Sequence, residues 1–342
     1  MSSKDSKIVV TGAAGFVGAA VTERLLADGY QVAGIDNFNA YYDQDLKEAR
    51  WARLAAHPNF RGQRVDLADR DLTMAAFDNA EPSHVVHLAA QAGVRYGLEN
   101  PQAYVDSNLV SFANILEVCR AHRVAHLVFA SSSSVYGANR TTPFSENHSV
   151  DHPLSLYAAT KRSNELLAHS YAHLFKIPCT GLRFFTVYGP WGRPDMAPYK
   201  FTARILAGQS IDVHHGGHMQ RDFTFIDDIV EGVVRVIGHV PVVDESWNAF
   251  DPFPDGSGVA PYRIFNIGRG VPVELMDFIR TIEKHTGKKA DLNYIPIQPG
   301  EVEGTWCDVS ALERAVGYRP KVSLDEGLAK TVAWFRQYHK II

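Results

Sequence analysis

Lys7-Ile-Val-Val-Thr-Gly-Ala-Ala-Gly-Phe-Val-Gly18 decides how this chain folds. The apolar run at residues 8–10 reads as a buried strand, and the stretch after the glycines, to about Asp28, carries helix-forming residues. Between them stand Gly12, Gly15 and Gly18. Glycine here permits a tight strand-to-helix turn, lets the backbone approach a pyrophosphate and lets the helix lie close on the sheet. The first N–H groups of that helix then point at an anion. A second strand, Gln31-Val-Ala-Gly-Ile-Asp36, closes on a carboxylate. About 20 residues after the glycines is where such folds hold the adenosine ribose hydroxyls. A surface turn with a solvated acid is the bland alternative, and the strand context speaks against it. An acid at Asp36 with no arginine beside it favours NAD over its phosphorylated form. The expected cofactor contacts here are Gly12, Ala14, Gly15, Phe16, Val17, Gly18, Asp36 and Asn37.

Outward from this stretch, strands and helices alternate. Val65-Asp66-Leu67 ends a third strand, with Asp66 in reach of the adenine amino group and Leu67 beside it. Residues 84–89 form a fourth strand running into Ala90-Gln-Ala-Gly-Val-Arg95, so Leu88, Ala89, Ala90 and Gln91 fall at a carboxyl end, where parallel sheets bind ligands. A helix over 103–122, a fifth strand at 126–131 and a sixth at 179–184 complete the pattern. The fold class is α/β, a doubly wound parallel sheet covered by helices on both faces. From Thr186 onward loops lengthen and Pro, Gly and aromatic residues crowd 188–199. Residues 1–185 are therefore expected to form an NAD-binding Rossmann domain, joined by a segment near 220–240. Residues 186–342 are expected to form mainly a smaller mixed α/β substrate lobe. The acidic, Pro- and Gly-rich stretch 241–261 is too long for a simple connector and is expected as a lid.

The 342 residues, 46% hydrophobic and 21% charged, suit a globular chain of this kind, and a net charge of −4 argues against a nucleic acid or an anionic membrane as partner. Cys119, Cys179 and Cys307 are odd in number and lack metal spacing, which points to a reducing cytoplasm without a disulfide framework. The first six residues are too short and polar for a signal peptide, and no apolar run reaches spanning length. His214, His215 and His218 have no cysteine nearby and no ligand spacing, so no metal is expected. His84 and His87 read as strand-end packing.

The chemistry is expected at Tyr157-Ala-Ala-Thr-Lys161, which opens a helix running to about Phe175. Spacing of four puts the phenol and the ammonium on one face, a turn apart. A free tyrosine, with a pKa of about 10, is a poor base at neutral pH, and a nearby ammonium stabilises its phenolate. Lys161 could also hold the nicotinamide ribose. A hydroxyl from the fifth strand's end, Ser131-Ser-Ser-Ser134, would bond the reacting oxygen and keep the proton path short. Two solvated helix residues are the alternative, weakened by the Ser-rich strand end just before them.

These motifs resemble the extended short-chain dehydrogenase/reductases, the NAD-dependent epimerase/dehydratase family, and within it the UDP-glucuronate 4-epimerase group. The resemblance rests on the three glycines, on residues 131–137 ending in Val-Tyr-Gly, and on the Tyr/Lys pair. It also rests on Gln91-Ala-Gly-Val-Arg95, Phe185-Thr-Val-Tyr-Gly-Pro-Trp-Gly-Arg-Pro-Asp-Met-Ala197, Met219-Gln-Arg-Asp-Phe-Thr-Phe-Ile-Asp-Asp228 and Asn266-Ile-Gly268. It runs from Lys7 to about Phe335 and implies a UDP-sugar substrate and a homodimer built on the 103–122 and 157–175 helices. It assigns the reacting hydroxyl to Ser132, leaves a part open for Ser133 and Ser134, and puts Ser131 with the cofactor. It places Arg221 on the diphosphate, Glu301 with Gln298 on the uridine ribose, and Thr186, Arg193 and Arg95 near a hexose C6 carboxylate. Val213-His-His215 departs from the family pattern at the uracil end, leaving Val213 main-chain contacts. Relatives that dehydrate or decarboxylate carry acids just before Val-Tyr-Gly, where this chain has Ser133 and Ser134. The resemblance therefore implies C4 epimerisation of a UDP-hexuronic acid through a 4-ketone. The alternatives are UDP-glucose 4-epimerase, UDP-glucuronate decarboxylase, or, outside enzymes, an NAD-sensing regulator, which would commonly lose the Tyr/Lys pair.

Overall fold

The computed structural model describes residues 6–296 and 303–341. In chain order its first half runs β1 (Lys7–Thr11), α1 (Phe16–Ala27), β2 (Gln31–Asp36), α2 (Gln44–Ala55), β3 (Phe60–Arg64), α3 (Arg70–Ala80) and β4 (His84–His87). There follow α4 (Pro101–Tyr104), α5 (Ser111–Ala121), β5 (His126–Ser132), α6 (Leu156–Phe175) and β6 (Cys179–Phe184). The second half holds β7 (Thr186–Tyr188), α7 (Ala197–Leu206), β8 (Ser210–His214), β9 (Gln220–Phe225), α8 (Ile226–Ile237) and β10 (Tyr262–Ile267). It ends with β11 (Pro272–Glu274), α9 (Leu275–Thr286), β12 (Asp291–Ile295), β13 (Gly304–Thr305), α10 (Ser310–Val316) and α11 (Leu324–Tyr338).

Seven parallel strands form one sheet in the order β10-β6-β5-β4-β1-β2-β3. Alternation along each strand divides the core. Ile8, Val10, Val86 and Val128 pack on one face, where α1 lies against α8, and Val9, Val85, Leu127 and Phe129 on the other, with α3, α5 and α6. The seventh strand, β10, lies in the half expected to be substrate lobe. Its apolar run is legible as a strand, but nothing local says that it pairs with β6, some 80 residues earlier in the chain. The remaining strands make two small sheets, β11-β9-β13 with β7 on β9, and β12 on β8.

The expected helix at 103–122 is α4 and α5 joined by a π-helical turn at Val105–Val110. The extra residue in such a turn lets a side chain leave the helical repeat. Asn108 uses it to bond the backbone of Gln91, accepting from its N–H at 2.8 Å and donating to its carbonyl at 3.1 Å. The third strand stops at Arg64, so Asp66 and Leu67 lie just beyond its carboxyl end. Residues 241–261, expected as a lid, are anchored at the far end of α6, where His169 bonds the Ser257 hydroxyl at 2.9 Å and His173 the Val259 carbonyl at 3.0 Å. No helix among the described residues is long and apolar enough to cross a membrane.

Candidate active site

A cavity of about 400 Å³ opens at the carboxyl ends of the central strands. The glycine loop forms one end. Gly12 has φ +71°, and a Cβ there would meet the Ala89 backbone at 2.8 Å. A Cβ on Gly15 would stand 2.9 Å, and one on Gly18 2.0 Å, from the Gly12 carbonyl oxygen. These are backbone collisions that no rotamer relieves, so each glycine is required by close packing. Gly15 is the N-cap of α1 and provides no side-chain cap, so the first N–H groups of the helix, on Phe16, Val17 and Gly18, lie uncapped where these residues line the cavity. Asp36 closes the loop, accepting from the Ala14 N–H at 3.0 Å and the Phe38 N–H at 2.8 Å. Asn37 donates to Asp66 at 3.2 Å. Asn37, Asp66, Leu67, Leu88, Ala89, Ala90 and Gln91 all line the cavity, whereas Ala14 meets it only through its neighbours.

The Tyr157 ring and the Lys161 side chain enter the same cavity from the first turns of α6, whose N-terminus is capped by Ser155 accepting from the Ala158 N–H at 3.1 Å. Ser132 closes β5 and lines the cavity with Tyr157, and its hydroxyl favours the Tyr157 phenolate. The expected influence of Lys161 on the phenol is not what dominates. Burial pushes Tyr157 above its ordinary value, and the Ser132 hydrogen bond and the Arg193 charge pull against it. Lys161 is itself buried, pushed down to about 8, and donates to the Ala130 carbonyl at 2.8 Å. Its ammonium is oriented by the strand rather than by the phenol.

The serines divide their work. Ser131 donates to Glu165 at 2.6 Å, so it borders the cavity with its hydroxyl already spent. Ser132 and Ser134 bond each other at 3.2 Å, and Ser133 and Ser134 line the same cavity as Thr186 and Arg193. Arg193 is held by Asp195, 3.0 Å from its Nε and bonded again at Nη2.

Other expected residues lie elsewhere. Val213 is fully buried in the apolar core and lends the cavity no side chain, because β8 alternates Ile211 and Val213 inward. Arg95 and Arg221 do not line the cavity either. Arg95 is at an exposed turn, and Arg221 donates to the Gln220 and Glu303 carbonyls at 2.8 and 3.1 Å. Gln298 and Glu301 lie outside the described residues.

Residues unforeseen from the sequence complete the walls: Asn39, Tyr41, Tyr42 and Lys47 after β2, Gly93 after β4, and Met196. Behind them Arg50, fully buried, donates to the Ala14 carbonyl at 3.1 Å, the Trp191 carbonyl at 2.6 Å and the Gly192 carbonyl at 3.1 Å. It clamps the glycine loop to the loop that carries Arg193. The only signal for it was a basic residue on α2 with no neighbouring acid to pair with across the next turn.

Residues 8–249 match the family described as NAD dependent epimerase/dehydratase. The chain is 49% identical over 335 residues to a Rhizobium meliloti protein named "Probable UDP-glucuronate 4-epimerase", covering 98% of each. Its structure is similar to that of a UDP-glucuronic acid 4-epimerase from Bacillus cereus, solved with UDP-glucuronic acid and NAD, at TM-score 0.86 and 33% identity over 97% of this chain and 99% of that one. It is also similar, at TM-score 0.83 and 27% identity over 97% and 99% of the two chains, to a UDP-glucose 4-epimerase from Thermotoga maritima solved with UDP-glucose.

Proposed function

The chain belongs to the NAD dependent epimerase/dehydratase family, and from that premise we propose a UDP-glucuronate 4-epimerase, interconverting UDP-glucuronate and UDP-galacturonate. The observation that carries this reading is one cavity holding the glycine loop, the Tyr157/Lys161/Ser132 group and the Thr186/Arg193 wall together, with serines at 133 and 134 where acids would be needed for other outcomes. The cofactor is NAD. The three glycines, whose Cβ positions are taken by neighbouring backbone, the uncapped start of α1 and the Asp36 carboxylate all fit a dinucleotide without a ribose phosphate. Bound NAD supplies an acceptor for the hydrogen leaving C4 and a donor for its return.

Tyr157 takes the proton of the C4 hydroxyl and later returns it to the ketone oxygen. Ser132 bonds the same oxygen and the phenol, keeping the transfer within hydrogen-bond reach. Lys161, fixed by the Ala130 carbonyl, holds positive charge beside the nicotinamide ribose. The sugar presents its opposite face between the two transfers. A 4-keto uronic acid is a β-keto acid, and it loses carbon dioxide when its carboxylate aligns with the ketone π system. Arg193 and Thr186 hold that carboxylate out of line. Arg221, Gln298 and Glu301 serve the uridine diphosphate in this reading. Residues beyond Thr186, apart from α8 and β10, act as the substrate lobe.

Exposed Val110, in the turn before α5, and Leu166, Leu174 and Phe175 on α6 support a homodimer through this helix pair. Three buried free cysteines support a reducing, cytoplasmic setting. Incubation with UDP-glucuronate and NMR of the products tests the assignment. The C4 epimer is expected. A UDP-pentose would mean decarboxylation, and turnover of UDP-glucose alone would overturn the reading.

A further inference from the structure

The guanidinium assigned to the substrate carboxylate is already occupied by a carboxylate of the protein. Arg193 makes two bonds to Asp195, through Nε at 3.0 Å and through Nη2. This fork-to-fork pairing is the one a hexuronate would offer. Asp195 is held from a second side, because Tyr41 donates its hydroxyl to Asp195 at 3.3 Å. Tyr41 lines the cavity with Arg193, and its hydroxyl sits against Gly93, where a Cβ would lie 2.6 Å away. The loop backbone is fixed independently by Arg50 on the Trp191 and Gly192 carbonyls. The Arg193 side chain can therefore exchange partners while both the loop and Asp195 stay in place. Both side chains are partly exposed, 22% for Arg193 and 23% for Asp195, and Arg193 lines the cavity, which leaves its guanidinium accessible to an entering anion.

We propose that Asp195 is a specificity-determining residue, an internal stand-in that occupies Arg193 until a substrate carboxylate displaces it. This rests on the reading of Arg193 as part of the carboxylate grip. The consequence is selection by exchange. A hexuronate replaces one charge-assisted pair by another, and Asp195 keeps its Tyr41 bond. A neutral hexose offers nothing to exchange, so Arg193 stays on Asp195, away from the sugar. The arrangement also avoids a bare, partly desolvated cation in the free enzyme.

The test uses the NAD-loaded protein and titrates UDP, UDP-glucose and UDP-glucuronate into wild type, Asp195→Asn and Arg193→Gln. Asp195→Asn removes the competitor with little change of shape. The dissociation constant and KM for UDP-glucuronate are expected to fall by about threefold to tenfold, with UDP unchanged and UDP-glucose unchanged or weaker. A rise in KM for UDP-glucuronate with UDP unchanged would make Asp195 a support for Arg193 and overturn the proposal. If Arg193→Gln leaves the glucuronate-to-glucose affinity ratio at its wild-type value, the carboxylate grip itself is wrong, and the exchange falls with it. A wild-type structure with UDP-glucuronate decides the matter without any variant: Arg193 is expected on the sugar carboxylate, and a persisting two-bond pair with Asp195 would contradict the exchange.

Discussion

Glu165 and Arg183 pair through two bonds, at 2.8 and 3.0 Å, with no exposure of either side chain. Glu165 also accepts the Ser131 hydroxyl, and Arg183 donates to Tyr136, which donates in turn to Asn266. The network thus grips both ends of residues 131–136, the segment that presents Ser132 to Tyr157. It also explains which serine is free to act: a hydroxyl bonded to a buried carboxylate at 2.6 Å is not available to a sugar.

Removing one partner of this pair should be costly. Glu165→Gln leaves Arg183 as a buried cation with a neutral neighbour, and a loss of roughly 3–5 kcal/mol in stability is expected. Denaturant unfolding measures it. A loss under about 1 kcal/mol would show that the network is not the support described here.

The glycine loop gives a second expectation. Gly18→Ala places a Cβ 2.0 Å from the Gly12 carbonyl oxygen, so α1 must shift away from the loop. NAD affinity should fall by at least about tenfold, a loss of some 1.4 kcal/mol. Absorbance of cofactor retained on the purified variant checks this, and wild-type retention would contradict it.

Much of this site was legible because its signals are local. The glycines, Asp36 and the Tyr157/Lys161 pair each act over one turn or one βαβ unit, and their spacing alone states the geometry. What stayed hidden depends on contacts across the chain. Arg50 reaches Trp191, 141 positions later, and Tyr41 reaches Asp195, 154 positions later. A basic residue on a polar helix such as α2 looks solvated until the opposite loop is known to lie against it. Val213 illustrates the reverse case, since its departure from a family pattern drew attention although β8 simply turns it into the core. Length marked 241–261 as special, but no local feature says at which end of the sheet such a loop settles.

Acid should weaken the fold through His126. Its Nδ1 donates to the Ile237 carbonyl at 3.1 Å and its Nε2 accepts from Thr180 at 2.8 Å, while burial pushes it down to about 4 from an ordinary 6.5. Below pH 6.5 the unfolded chain takes up a proton that the folded chain refuses until about pH 4. Stability is therefore full above pH 6.5 and declines across that window, by on the order of 3 kcal/mol from this residue. His126→Gln should flatten the profile of unfolding free energy against pH. An unchanged slope would mean that His126 does not titrate as its burial implies.

The alkaline side should report on Tyr157. Its base form is opposed by burial and favoured by the Ser132 hydrogen bond and the Arg193 charge. Ser132→Ala removes the first-named favourable contact, so the rising limb of kcat against pH should move to higher pH. Tyr157→Phe should lower kcat by roughly 10²–10⁴ at every pH with NAD still bound. A limb that stays in place in Ser132→Ala would remove Ser132 from the proton path.

The central claim is that one hydrogen leaves C4 and returns to C4 from the other side. UDP-glucuronate carrying deuterium at C4, turned over in ordinary water and analysed by NMR, tests it directly. The predicted result is UDP-galacturonate with the label retained at C4. An epimer whose C4 deuterium has been exchanged for solvent hydrogen, or a labelled UDP-pentose as the main product, would contradict it.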